Sequence, residues 1–464
     1  MRNIITSLIL LAVLLGSLTS NAQQITPFKD GDRAVFLGNS ITDGGHYHSY
    51  IWLYYMTRFP DMRLTILNAG IGGDQASDMV KRLDGDVFAK RPTVLITTFG
   101  MNDSGYFEYN GDQPQKFADE KVKASYDAYK QMEARFKELA NTKIVLMGSS
   151  PYDETAVIEG NTSFKNKNKA MMRIVDFQRE SAQANGWQFF DLNQPMTAIN
   201  QKFQQTDPTF TICGNDRIHP DNDGHMIMAY LLLKAQGFAG KEVADINVDA
   251  SKASLISSSN CEITNIRKTS TGLTFDYLAN ALPYPMDTIA RGWGQKKSQA
   301  EAVKVIPFME EMNKEMLTVK GLKGNYRLQI DGQEIGTWSA ADFAKGINMA
   351  ALNNTPQYQQ ALKVMFLNEE RWEVERRFRD YAWVEFNFFL NKGVTGDIST
   401  REAIRVMDDN KDKNGWLNAK RDLWSRAMYP EVRNAWQSQM DALLSAIYDI
   451  NTPMKRKITL VKAK

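Results

Sequence analysis

The sequence predicts an α/β domain built on a mostly parallel sheet, followed by a C-terminal β-rich and helical accessory region. Three observations carry that prediction. Between Asp32 and about Gly240, short apolar runs rich in β-branched residues alternate with helical stretches, the order that builds a parallel sheet covered on both faces. After Gly240 the pattern turns to alternating strands punctuated by turn dipeptides, and then to long helical stretches. At 464 residues with 43% hydrophobic content, the chain is long enough for two domains and can bury a core in each.

Taken in order, the chain opens on Arg2, an apolar run from Ile4 to Leu15, and small or polar residues ending at Ala22. That is the pattern of a signal peptide over residues 1–22, which predicts a secreted or periplasmic protein with no membrane span after cleavage. The first domain is expected over 24–240. Its strands are Ala34–Leu37, Leu64–Leu67, Val94–Thr97, Ile144–Met147 and Gln188–Asp191, with helices from Ala118 to Ala140 and Lys165 to Asn185. The accessory region is expected over 241–464. Cys261 to Tyr277 and Leu317 to Trp338 read as antiparallel strands of a sandwich-like module, with turns at Lys323-Gly324-Asn325 and Asp331-Gly332. Two long helices, Gln359 to Leu390 and Trp416 to Ile450, carry aromatic residues at a spacing that reads as a helix-packing core.

Lys and Arg number 56 against 54 Asp and Glu, so there is no basic excess to neutralise a phosphate backbone and nucleic acid is not expected as a partner. Cys213 and Cys261 could form one disulfide after export or remain two free thiols; the sequence leaves both open. No metal or cofactor is expected. His46-x-His48 has no carboxylate or Cys at zinc-like spacing and reads as a helix or loop surface. Asn410 to Gly415 suggests a calcium loop, but its twelfth position is Arg421 where a bidentate Glu is needed, so it reads as a turn. Gly70-Ile71-Gly72-Gly73 lacks the phosphate-loop and dinucleotide spacings.

Ester hydrolysis at neutral pH needs a nucleophile, a base, a group that orients the base, and donors aimed at the developing oxyanion. Ser40, in Gly38-Asn39-Ser40, follows the first strand and starts a helix, where free backbone N–H groups meet a negative oxygen. Of four histidines only His219 has an Asp three residues earlier, in Asp216-Arg217-Ile218-His219-Pro220, a spacing that lets the carboxylate reach Nδ1–H. Gly73 follows the second strand, and Asn102, in Gly100-Met101-Asn102-Asp103, follows the third. Either can supply an N–H donor.

These four blocks, in this order, resemble the SGNH (GDSL-type) hydrolases over roughly Asp32 to Gly240. The resemblance implies a flavodoxin-like domain in which Ser40 is the nucleophile, Asp216 and His219 complete the triad, and Ser40, Gly73 and Asn102 form the oxyanion hole. The usual Asp before the nucleophile is Asn39 here. The family further implies a serine esterase acting on an acylated glycan, most simply by removing O-acetyl groups; a lipase or lysophospholipase, or an inactive glycan-binding module, is the alternative.

Overall fold

The computed structural model describes residues 24–292, 294–394 and 399–463. The signal peptide expected over residues 1–22 lies outside them. The first unit runs β1 (Arg33–Gly38), α1 (Ser40–Asp43), α2 (Tyr47–Arg58), β2 (Thr65–Gly70), α3 (Ala76–Lys81), β3 (Val94–Thr97), α4 (Pro114–Phe136), β4 (Lys143–Gly148), α5 (Lys167–Asn185), β5 (Gln188–Asp191), α6 (Asn193–Gln204) and α7 (Asn222–Ala235). Its strands are all parallel in the order β2-β1-β3-β4-β5, so the direction of winding reverses between β1 and β3. Alternate residues of β1 feed separate cores. Ala34 and Phe36 pack with Trp52, Tyr54 and Ile227 on one face, and Val35 and Leu37 with Met79, Tyr129 and Ile174 on the other. The apolar runs were continuous because both faces are covered.

The second unit contains β6 (Ala244–Asp249), β7 (Ser254–Ser259), β8 (Cys261–Thr269), β9 (Gly272–Ala279), α8 (Phe308–Met312), β10 (Glu315–Lys320), β11 (Asn325–Ile330), β12 (Gln333–Ser339), α9 (Ala340–Lys345) and β13 (Ile347–Asn348). Four helices and the closing strand follow: α10 (Pro356–Trp383), α11 (Thr400–Asp408), α12 (Gly415–Ala427), α13 (Pro430–Ile450) and β14 (Arg456–Lys462). The strands form two sheets, β13-β10-β6-β7 and β12-β11-β14-β9-β8, whose inner residues, among them Ile246, Leu317, Phe275, Leu328 and Leu460, share one core.

Two expectations for this half are corrected. Leu317 to Trp338 is not one antiparallel set: β11 and β12 make the hairpin across Asp331-Gly332, but β10 belongs to the opposite sheet and pairs in parallel with β6. The Lys323-Gly324-Asn325 turn therefore carries the chain across the core, which lets Leu317 and Val319 face Leu328 and Ile330 within it. The second long helix, expected from Trp416 to Ile450, is two helices. Pro430 begins α13, because a proline inside a continuous helix would lose a backbone donor and clash with the preceding turn. Helix α11, capped by the Ser399 side chain on the Glu402 N–H, and strand β14 were not read from the sequence.

Helix α10 lies along β2, an edge strand of the parallel sheet. An edge strand leaves every second residue's N–H and C=O unpaired. Here α10 takes two of those groups and then a carbonyl of the turn just beyond the strand. The Asn68 N–H donates to Glu375 Oε1 (2.8 Å), Arg379 Nε donates to the Gly70 carbonyl (2.9 Å), and Trp383 Nε1 donates to the Gly72 carbonyl (3.2 Å). The registers match for a geometric reason: four helical residues advance about 6 Å and two extended residues about 6.6 Å. The aromatic residues of the helices pack as the spacing suggested, with Trp383, Phe388, Phe389 and Trp424 in one cluster that also holds Ile71. Trp416 differs and is 51% exposed.

The same packing overturns the surface reading of His46 and His48, both of which are fully buried. His46 stacks on Trp372 of α10 at 3.9 Å and its Nε2 sits 3.2 Å from Glu369 Oε2. His48 Nε2 donates to the Thr42 carbonyl, and burial pushes its pKa down to about 4, so the ring is neutral. The two cysteines are unpaired: Cys213 is buried in the first unit and Cys261 lies half-buried in β8.

Candidate active site

The loops at the carboxyl ends of β1, β2 and β3 and the segment before α7 supply the groups singled out in the sequence. At the end of β1 the chain turns directly into α1. Asn39 caps that helix, its Oδ1 accepting the Ile41 N–H at 3.1 Å, a task Asn performs as well as Asp. Ser40 is thereby the first helical residue, and no acceptor among the described residues takes its N–H.

Ser40 Oγ lies 2.8 Å from His219 Nε2, and His219 Nδ1 lies 2.6 Å from Asp216 Oδ2. An ionised carboxylate only accepts, so Nδ1 carries the proton and Nε2 faces the serine hydroxyl as an acceptor. The other Asp216 oxygen accepts the backbone N–H groups of Ile218 and His219, both at 2.9 Å, so the four-residue turn folds around its own carboxylate. Partial burial alone would raise the Asp216 pKa; the hydrogen bonds and charge of His219, with the two backbone donors, hold it below the ordinary carboxylate value. Arg217, in the left-handed region at φ 71°, anchors the turn by donating to the carbonyls of Asp153, Ala156 and Asn161.

On the loop after β2, Gly70 sits where a Cβ would lie 2.2 Å from the Asp43 amide nitrogen, so only glycine lets the end of β2 pass this close to α1. Asp43 in turn accepts the Gly72 N–H through Oδ2 at 3.0 Å. Gly73 adopts φ 91°, a conformation that favours glycine, and no acceptor among the described residues takes its N–H. The Asn102 amide is held from both ends. Its Nδ2 donates to the Asp74 carbonyl at 2.9 Å, and its Oδ1 accepts the Tyr106 hydroxyl at 2.6 Å, which leaves the second Nδ2 hydrogen as the available donor.

The structure thus brings Ser40, Asp216 and His219 into one hydrogen-bonded relay and places Gly73 and Asn102 on adjoining loops at the same sheet end. Several supporting residues were missed. Asp103 ties the loops together, accepting from the Gly100 and Ala76 N–H groups and from Ser125 Oγ. Lys167 donates to the carbonyls of Met101 and Gly105 and to Ser104 Oγ, with its ammonium 4.0 Å from the Tyr106 ring centroid; burial lowers its pKa to about 7. Arg82 donates to Gly38 O, Asp74 and Asp86, and Arg379 forks onto Asp86 from α10. Asp103 and Tyr106 stand one and four residues from Asn102 and were open to suspicion on that ground. Arg379, far along the chain, gave no such signal. Among the described residues no group of three or more His, Cys, Asp or Glu side chains is placed to hold a metal ion.

Known proteins resemble this chain over both halves. The model of the GDSL-like lipase/acylhydrolase family matches residues 36–227, and that of the diltiazem deacetylase C-terminal helical domain matches residues 362–452. A solved structure of BT4096, a gut microbial diltiazem-metabolizing enzyme, is 63% identical, covers 95% of this chain and 100% of its own, and superposes with a TM-score of 0.93. An acetylxylan esterase of Geobacillus stearothermophilus is 28% identical over 231 residues, 45% of this chain and 95% of the relative.

Proposed function

This chain belongs to the GDSL-like lipase/acylhydrolase (SGNH) family, and from that premise we propose that it is an exported O-acetyl esterase with Ser40 as its nucleophile. The observation that carries the assignment of roles is the unbroken relay from Ser40 Oγ through His219 to Asp216, at 2.8 and 2.6 Å. Ser40 Oγ attacks the acetyl carbonyl while His219 Nε2 takes its proton. The carbonyl oxygen, now negative, draws on the N–H groups of Ser40 and Gly73 and the free Nδ2 hydrogen of Asn102. His219 then passes the proton to the departing alcohol, and the acetyl group rests on Ser40. Water, deprotonated by the same imidazole, releases acetate and restores the hydroxyl. Asp216 holds the imidazole in the required tautomer and stabilises its positive form.

For the alcohol, the reading best supported is a small organic acetate ester, because the relative at 63% identity metabolizes diltiazem and its match extends over the helical region as well as the α/β domain. An O-acetylated glycan is the second reading, supported by the likeness of the α/β domain to an acetylxylan esterase. Export rests on the charged and apolar pattern of residues 2–22. The test is acetate release from 2-naphthyl acetate and from acetylated xylo-oligosaccharide by the wild type, Ser40→Ala, His219→Ala and the double variant. Each variant should lose nearly all turnover, and the double variant should be no slower than either single one, since the pair acts as a unit. Ser40→Ala turning over at the wild-type rate would overturn the assignment.

A further inference from the structure

We propose that Lys167 is a positioning residue for ester hydrolysis, a buried ammonium that fixes the turn carrying Asn102 and, through the Tyr106 ring, strengthens the Asn102 donor; this rests on the reading of Asn102 given above. Two costs oppose a charge at this place. Lys167 is fully buried, and among the described residues no carboxylate forms an ion pair with it, Asp103 acting on its charge only from farther off. It is also the first residue of α5, and the positive end of a helix dipole disfavours a cation. A neutral side chain would fill the place without either cost, and charges held against burial collect at functional sites.

What the ammonium holds is the turn around Asn102. Its N–H groups donate to the Met101 carbonyl at 2.7 Å, to Ser104 Oγ at 2.6 Å and to the Gly105 carbonyl at 2.6 Å. Ser104 Oγ donates onward to the Met101 carbonyl at 3.2 Å, so it meets Lys167 as an acceptor. Inside the turn, the Ser104 N–H bonds to the Gly100 carbonyl and the Gly105 N–H to the Asn102 carbonyl. Carbonyls from both ends of the turn therefore converge on one cation, with Asn102 between them.

A second path runs through Tyr106. The ammonium lies 4.0 Å from the centroid of that ring, whose hydroxyl donates to Asn102 Oδ1 at 2.6 Å. A cation over the face of a phenol draws on its π electrons and makes the O–H a stronger donor. The amide passes the effect along, because chained hydrogen bonds polarise one another. Of the two Nδ2 hydrogens, one goes to the Asp74 carbonyl and the other is the donor assigned to the oxyanion. Lys167 thus reaches the reacting oxygen only by way of Asn102, and that confinement is what the experiment tests.

Rates on 2-naphthyl acetate are compared in the full-length wild type, Lys167→Met, Asn102→Ala and the double variant, each divided by the fraction of chains whose Ser40 a fluorophosphonate labels. Lys167→Met should lower kcat about 10- to 100-fold with KM nearly unchanged, the worth of one hydrogen bond to a charged group. In the Asn102→Ala background it should change kcat by less than about twofold. An unchanged kcat, or an equal loss in both backgrounds, would overturn the proposal. The pH profile decides without any Lys167 variant, should Lys167→Met not fold. Burial lowers the Lys167 pKa to about 7, so its charge is lost as pH rises beyond that value. Among the groups around it, Tyr106 and Tyr152 are pushed upward by burial and keep their protons, while Asp103, Glu154 and, beyond Tyr106, Asp216 are carboxylates that titrate on the acid side. Wild-type kcat should therefore fall between about pH 7 and 10, and the fall should be absent from Asn102→Ala. A flat wild-type profile, or the same fall in both proteins, would refute it. Failure of the underlying reading looks different: Asn102→Ala would then keep the wild-type kcat, whatever stands at position 167.

Discussion

Tyr106→Phe isolates one hydrogen bond behind the proposed oxyanion hole. The substitution keeps the ring between Phe164 and the Lys167 ammonium and removes only the hydroxyl that donates to Asn102 Oδ1 at 2.6 Å. Two partners orient the amide in the native site, and one, the Asp74 carbonyl, survives the change. A carbonyl only accepts, so the flipped amide would set oxygen against oxygen there, and the remaining bond still favours the productive orientation. The loss is then the net worth of one neutral hydrogen bond, about 0.5–1.5 kcal/mol, or roughly a 2- to 12-fold fall in rate. Asn102→Ala removes the donor itself and should cost about 10² to 10³ in kcat. Initial rates on 2-naphthyl acetate separate the two, with the Tyr106→Phe loss in kcat rather than KM, because the oxyanion exists only in the transition state. Adding Tyr106→Phe to Asn102→Ala should change nothing further. An unaltered kcat in the single variant, or an equal loss in the Asn102→Ala background, would refute the view that Tyr106 works through Asn102.

Three further outcomes are expected. Asp216→Asn should lower kcat by about 10² to 10⁴, since the amide keeps the backbone bonds of the turn but presents N–H to Nδ1 and inverts the tautomer; a rate within twofold of wild type would assign the orienting role to another group. Arg379→Met should lower urea-unfolding stability by about 2–4 kcal/mol, below the cost of an abandoned buried ion because Arg82 and Lys90 still face Asp86. It should also slow turnover by leaving the Gly70 carbonyl unpaired. Glu315 is buried, accepts from Tyr277 and Gln357, and has its pKa pushed up to about 7 by burial. The folded chain thus holds a proton that the unfolded chain releases, so stability falls as pH rises from about 4.5 to about 7. Glu315→Gln should flatten that decline in urea melts and, at pH 8, exceed wild type by on the order of 3 kcal/mol; an unchanged pH slope would contradict it.

What the sequence determined by itself is the part written in local pattern. Strands β1, β3 and β4 are short apolar runs because both of their faces are covered, and the bounds of Val94–Thr97 and Gln188–Asp191 were legible to the residue. Ser40, Gly73, Asn102, Asp216 and His219 stand in ordered blocks next to glycines or at a fixed three-residue spacing, so the relay could be anticipated before any contact was known. Pro430 and the alternation of Ile458 and Leu460 were signals too, though the helix break and β14 they mark went unread. Tertiary structure alone decided what meets what. Periodicity reports that a face is buried, not against which partner, so nothing near His46 in sequence announced Trp372 and Glu369, and the crossing of β10 to the other sheet looked locally like a hairpin. The ladder of Glu375, Arg379 and Trp383 along Asn68, Gly70 and Gly72 joins residues some 300 positions apart. It exists because the advance of a helix over four residues nearly equals that of a strand over two, and that match comes into being only when α10 docks on the free edge of β2.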